Sequence, residues 1–474
     1  MSITIHQKPL INNFPAGQQV IYTVSDSSAV DTYYNFKYIC EVRIGNNMNQ
    51  TQSSTFERVA IFKTTPNNAG VGIFDLQPFI ESYVSPQNTG VGESGASSSE
   101  YKTVDYSLNT PHPIHLIDKY CRNANGMKGW AVKFKAEGSS TQDGAVVDLG
   151  LEKTGRQLYM FNGVLHEDNP LTLTNGDYGF DLSNAGLYTV ETGGKFLTNA
   201  PTTQYANIDD YGTVGMLNGL PSISLRIAKL NFQYFKKDGT SVTETVLQDY
   251  NAGGWSVGAA LNSTTQLFLF AGIYPANLRN WSSTFQALVT ADTIDYYTVQ
   301  AEALSGNLAQ KYTIHINCPN TKGYESIRLT WLNQWGAWDY YTFTQKSIRS
   351  LTTNRTTYNQ MSGTWNDSQY HMNGYKGGRK NFRVNSTERI VVNTDYISEE
   401  NSAWFEDLIN SPEVYILNGF DGSETSPYDT ITNKYVEPVL ITTSDFTRKT
   451  VANDRLIQYT FNMERNKTRK TQTA

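Results

Sequence analysis

Little in this chain points to catalysis. Of its 474 residues only three are cysteines, Cys40, Cys121 and Cys318. An odd count at wide, irregular spacing excludes a disulfide framework and a zinc cluster. It predicts thiols that serve as small buried hydrophobes in a chain made in a reducing cytoplasm. Charge is scarce as well: Asp, Glu, Lys and Arg make up 17% of the residues, against roughly 25% in ordinary soluble domains. The net charge of −6 argues against wrapping nucleic acid, while leaving room for a local basic patch that contacts it. No stretch reaches the roughly 18 apolar residues of a membrane span. Residues 1–9 lack a cationic start followed by an apolar run, so no secretory signal is expected. The Asn-x-Ser/Thr sites at Asn49, Asn262, Asn280, Asn354 and Asn385 then read as a by-product of abundant Asn and Thr. No repeat of fixed period suggests a solenoid or propeller.

What the chain does have is aromatic residues: 30 tyrosines, 21 phenylalanines and eight tryptophans. With Thr, Asn and Gly they favour strands joined by tight turns over helices. Residues 327–343 are the densest stretch. Ile327, Leu329 and Trp331 alternate with Arg328 and Thr330, and Asp339, Tyr341 and Phe343 alternate with Tyr340 and Thr342. Period two is the signature of a strand with a buried face. Asn333 and Gly336 between the runs accept positive φ cheaply, which predicts a hairpin. Trp331, Trp335, Trp338, Tyr340 and Tyr341 are its candidate interface residues, because large rings with a polar handle suit subunit contacts. Plain core is the competing reading of the same alternation.

The string Ile327 to Asn333, then Gly336 and Asp339 to Phe343, resembles structural proteins of tailed-bacteriophage virions. Other islands are similar to the same group: Gly72 to Leu76 with Ile80 and Tyr83, Phe161 to Val164, Phe196 to Asn199, Pro275 to Leu278, and Leu408 to Tyr415. The resemblance implies a virion component of the tail, baseplate or portal-proximal region.

The expected fold is mainly β, with antiparallel β-sandwiches in several domains. Residues 1–88 are expected to form an immunoglobulin-like sandwich. A Gly/Ser/Pro-rich bridge over 85–99 would link it to a main sandwich at 100–345, with long loop insertions and a hairpin at 236–239. Residues 346–380, polar and glycine-rich, are expected to be an extended connecting arm. Residues 381–474 should form a sheet with one helix, begun at Glu399 under a Ser398 cap and striped by Trp404, Phe405, Leu408 and Ile409. A frayed basic tail would follow from Arg465.

Motifs of chemistry are weak. Gly254-Trp255-Ser256-Val257-Gly258 matches a nucleophile elbow, but the required strand before it and helix after it are missing from the pattern. His112 and His115 lack a third ligand. The pairs Asp209-Asp210 and Glu167-Asp168 sit in turn-like settings, and Glu399-Glu400 suits a helix start. No catalytic residue, metal or cofactor is therefore expected. The expected role is a ring-forming structural subunit of a virion, with copies of itself and other virion proteins as partners, and without membrane or specific nucleic acid. The alternative is an exterior protein that binds a receptor or a host-surface glycan.

Overall fold

A computed structural model describes residues 2–9, 13–45, 56–86, 120–122, 126–164, 172–174, 177–179, 194–217, 227–249, 255–256, 268–303, 305–317, 323–365, 367–372, 374–417, 436–445, 447, 456–465 and 469–470. The fold is mainly β, built from several largely antiparallel sheets. The chain forms two compact units. Unit 1 comprises Met1–Pro319, Thr330–Tyr340 and Gly419–Thr432, and unit 2 comprises Asn320–Leu329, Tyr341–Asn418 and Asn433–Ala474.

Unit 1 begins with two facing sheets. Thr4–Gln7, Ile21–Ser25 and Val71–Asp75 form the smaller one. The larger is ordered Asn13–Pro15, Leu158–Phe161, Met127–Ser139, Tyr34–Ile44, Glu57–Thr64, with Val147–Thr154 also on Met127–Ser139. Tyr34–Ile44 buries Phe36, Tyr38, Cys40, Val42 and Ile44, as its alternation requires. Tyr22 of the small sheet meets Trp130 edge-on at 6.0 Å and Phe134 at 5.5 Å, and Phe74 meets Phe134 at 5.7 Å.

This geometry corrects the boundary expected at residue 88. Tyr34–Ile44 pairs along its length with Met127–Ser139, from Tyr34↔Ser139 to Ile44↔Trp130. Residues 1–88 alone would leave that edge unpaired and would lack the rings of Trp130 and Phe134 in their core. The sandwich therefore needs chain that lies beyond residue 126. The 85–99 bridge falls outside the described residues from residue 87 on.

A second six-stranded sheet in unit 1 runs Thr203–Ala206, Tyr312–Ile316, Ile294–Ala303, Ile227–Lys236, Ser241–Asp249, Trp255–Ser256. The hairpin at 236–239 is present: Gly239 has φ +82°, and Asp238 Oδ1 accepts from the Thr240 N–H at 2.8 Å. Two short helices, Pro275–Trp281 and Ser283–Thr290, bury Leu278, Phe285 and Leu288. Proline opens the first, and the Ser282 side chain caps the second by accepting from Phe285 N–H.

In unit 2 one sheet carries the helix Ser402–Asn410, which follows a 3-10 turn at Glu399–Asn401. The helix thus starts one turn later than expected, and the Ser398 side chain makes no cap. Phe405 stacks on Phe461 at 5.6 Å, and Trp404 meets Tyr341 edge-on at 5.5 Å. The sheet ends in Val414–Leu417, Val436–Ile441, Thr460–Arg465, Gly378–Asn393 and Ile348–Gln360, in that order.

Two further expectations change here. Residues 346–380 are not a connecting arm; they contain one strand and the tip of a long hairpin whose return strand is Gly378–Asn393. Their Thr-rich composition is β-branched and pairs readily, although the residues are polar on both faces. The basic tail is held where it is described. Arg465 bonds Glu437 and Glu388, and Lys470 and Arg469 pair with Asn385 and Ser386.

Candidate functional site

The tryptophan hairpin is core. Its turn closes as the sequence predicts: Asn333 Oδ1 accepts from Trp335 N–H at 3.0 Å and from Ala337 N–H at 3.1 Å, and Gly336 has φ +71°. A Cβ at Gly336 would lie 1.5 Å from the Asn162 carbonyl oxygen, so only glycine fits. Trp331, Trp335, Trp338 and Tyr340 are buried, Trp331 with 0% exposure.

Within unit 1, two of the islands that carry the resemblance, 161–164 and 196–199, meet this hairpin. Val164 N–H donates to Gln334 O, Asn333 Nδ2 donates to Leu197 O, Trp335 Nε1 donates to Asn199 Oδ1, and Thr198 Oγ1 donates to Asp339 Oδ1. Tyr274, just before Pro275, lies 5.5 Å from the Tyr340 ring, and Asn277 Oδ1 accepts from Gly212 N–H at 2.9 Å. In unit 2, Tyr341 is half-buried against Trp404 and Phe405. Burial pushes its phenol up to about 12, partly opposed by the Asp395 N–H that donates to Oη. An interface needs rings that reach the surface, and these five pack against their own chain. The interface expectation for Trp331, Trp335, Trp338, Tyr340 and Tyr341 gives way to a core role.

The exposed aromatic residues sit in the next hairpin. Ile348–Gln360 pairs with Gly378–Asn393 from Ile348↔Val391 to Gln360↔Gly378. Thirteen residues at about 3.3 Å each make a ribbon about 40 Å long. Residues 348–359 are all exposed. At the base 389–393 pair with 460–464, and a little farther out 385–386 pair with 469–470. Farther out, the strands are held by cross-strand side chains. Tyr358 meets Phe382 edge-on at 6.4 Å, Lys380 Nζ donates to Gln360 Oε1 at 2.7 Å, and Arg379 Nε donates to Thr357 Oγ1 at 3.1 Å.

The tip is a built loop. Thr364 Oγ1 donates to Gln369 O at 3.0 Å and accepts from His371 N–H at 2.8 Å, and Trp365 Nε1 donates to Ser362 O at 2.8 Å. Gly363, at φ +97°, lets the Tyr370 ring lie against the backbone, where a Cβ would come within 2.2 Å of it. Trp365 then packs on Tyr370 at 5.4 Å. This loop holds apolar side chains in water: Met361 is 75% exposed, Trp365 66%, Met372 75% and Tyr375 73%.

Charge separates the two ends of the ribbon. At its base Arg349 pairs with Glu325 and Glu388, and Arg389 with Glu464. Arg355, Lys376, Arg379, Lys380 and Arg383, farther out, have no carboxylate partner among the described residues. The sequence marked 346–380 as an arm but missed the tip as a site. The available signal was a cluster of Trp, Tyr and Met without strand alternation, set among glycines and cations.

Among the described residues, the remaining motifs bring no reaction centre together. Trp255–Ser256 is a two-residue strand paired parallel with Gln248 and Asp249. Gly254, Val257 and Gly258 lie outside the described residues, as do His112, His115, Glu167 and Asp168. Asp209 pairs with Arg279 at 2.6 Å, and buried Asp210 accepts from Asn207 N–H at 2.8 Å, which makes the pair a structural turn. Among the described residues no group of three His, Cys, Asp or Glu is placed to hold a metal ion. His315 is half-buried in a row of rings crossing four strands: Tyr205 at 5.3 Å on one side and Tyr296 at 5.0 Å on the other, with Phe235 stacked on Tyr296 at 4.5 Å.

The chain matches no protein-family model, and no curated protein matches it. Among solved structures, the native conformation of E. coli alpha-2-macroglobulin is 6% identical, over 82% of this chain and 22% of that one, with a TM-score of 0.19. Salmonella alpha-2-macroglobulin is also 6% identical, over 99% of this chain and 34% of that one, with a TM-score of 0.14. The chain spans at most about a third of the length of these proteins. At such TM-scores neither likeness bears on what this chain does.

Proposed function

We propose that this chain is a structural subunit of a tailed-bacteriophage virion, assembled as a ring in the tail, baseplate or portal-proximal region. It works without turnover, by lending the hairpin at 348–393 to neighbouring copies or other virion proteins. The observation that supports this is the exposed tip. A two-stranded ribbon is marginal in water by itself, and apolar area left in solvent forgoes about 25 cal/mol per Å² of burial. Met361, Trp365, Met372 and Tyr375 are held out by an ordered loop, which suits residues that become buried against a partner. Residues 1–319, which hold most of unit 1, supply a packed scaffold. Among the described residues no helix is long and apolar enough to cross a membrane, and this reading needs no cofactor. The test replaces residues 352–387 with a tight turn, which keeps 389–393 paired in the sheet, and measures mass in solution. A folded variant that no longer forms rings supports the reading; one that forms full rings defeats it.

The row of rings at Phe235, Tyr296, His315 and Tyr205 favours a second reading, an exterior protein that binds a host-surface glycan. Tyr205 is 65% exposed on an edge strand, and Asn231, Gln233 and Gln300 project from the same sheet face as Phe235 and Tyr296. The other rings spend their faces on one another, so Tyr205 alone offers an open face for stacking a sugar. Glycan binding that is lost in Tyr205→Ala, with the oligomer intact, would establish it.

A further inference from the structure

We propose that the hairpin of one copy docks head to tail on unit 1 of a second copy, through opposite charge as well as its apolar tip. This rests on the assembly role above and names the partner surface. Unit 1 carries 20 Lys/Arg against 31 Asp/Glu, a net charge of −11. Unit 2 carries 18 Lys/Arg against 13 Asp/Glu, a net charge of +5. The hairpin accounts for this excess: residues 346–393 hold eight Lys/Arg and two Asp/Glu, a net charge of +6. A chain with modest overall charge is thus sharply divided in sign.

The division selects among partners. Two hairpins facing each other would bring +6 against +6, so a symmetric arm-to-arm contact is opposed by repulsion. A hairpin facing unit 1 of another copy meets −11, and unit 1 exposes acids such as Asp143, Asp148, Asp238, Asp292 and Asp295. Joining two different surfaces is the heterologous contact that closes into a ring or runs on as a filament. The cations involved, Arg355, Lys376, Arg379, Lys380 and Arg383, are those without carboxylate partners among the described residues, so docking breaks no ion pair there. Nucleic acid and anionic lipid offer negative charge too, and the experiment separates them from a second copy.

The test uses the full chain. Self-association is followed by sedimentation at about 50 mM and about 500 mM NaCl, where screening shortens severalfold. A variant carrying Arg355→Glu, Lys376→Glu, Arg379→Glu, Lys380→Glu and Arg383→Glu is run beside it, with circular dichroism as the check on folding. The apparent dissociation constant should rise at least roughly tenfold with salt and further in the variant. In the otherwise unaltered chain, a photoreactive phenylalanine in place of Tyr375 should cross-link to peptides of 1–319 in the second copy. If shortening the hairpin abolishes rings while salt and charge reversal change nothing, the assembly role stands and this proposal fails. Cross-links confined to 341–418 also overturn it. Retention of a DNA duplex or a phosphatidylglycerol vesicle without any self-association overturns both.

Discussion

The hairpins at 327–343 and 348–393 are successive in the chain, and both are aromatic, yet they use their rings in opposite ways. In the first, both strands are almost wholly buried, and even Arg328 and Asp339 lie inside. Arg328 Nη1 donates to Thr342 Oγ1, and Asp339 Oδ1 accepts from Thr198 Oγ1, partners that burial calls for. In the second, Ile390 and Val392 at the base are buried, residues 348–359 are exposed, and the rings are concentrated at the tip. Aromatic density alone therefore does not distinguish core from contact surface. What separates the two is the company the rings keep: alternating apolar neighbours and a glycine turn pressed on Asn162 in one, Thr, Asn and unpaired cations in the other.

The sharpest way to break this comparison is to truncate one ring in each hairpin. Trp331→Ala should cost about 3–5 kcal/mol of folding stability, whereas Trp365→Ala should stay within about 0.5 kcal/mol. Urea unfolding of the two variants measures this, and equal losses would remove the distinction. Glycine substitutions come next. Gly336→Ala meets both a positive φ and the Asn162 carbonyl, so a loss of about 2–3 kcal/mol is expected. Gly374→Ala at the exposed tip meets nothing within 4 Å and should be nearly silent in the same unfolding measurement.

The smallest effect concerns charge, and it sharpens the contrast between interior and arm. Burial works to raise the Glu41 carboxyl, but Lys135 above all, with Arg43 and Arg58, outweighs it and holds the group below the usual carboxylate range. A carboxyl lowered in the folded state stabilises fully above its unfolded value, about 4.3, and loses that contribution as pH falls through the folded value. Glu41→Gln should therefore cost about 1–2 kcal/mol at neutral pH, with the gap to the natural chain narrowing below about pH 4. Thermal melts across pH check the sign. Arg355→Glu in the distal arm should leave these melts unchanged, since among the described residues Arg355 has no carboxylate partner.

Much of the local structure was legible. The alternation of Phe36, Tyr38, Cys40, Val42 and Ile44, the turn at 67–70 with Asn67 Oδ1 accepting from Ala69 and Val71 N–H, and the stripe of Trp404, Phe405 and Leu408 are all written at short range. Pairing between distant segments was not. Nothing within 34–44 says that its neighbour is 127–139, because register depends on which edges meet in space. The helices at 275–281 and 283–290 carried proper start signals, Pro275 and Ser282, but are too short for their periodicity to stand out. The candidate site was half legible: the polar stretch showed as an arm, but only the return strand shows that it doubles back and presents Trp365 and Tyr375 at its end.

The most direct test of the central claim is native mass measurement of the full chain beside the chain with residues 352–387 replaced by a tight turn. The account predicts a closed oligomer of defined copy number for the first and a folded monomer for the second. Identical oligomers from both would contradict it.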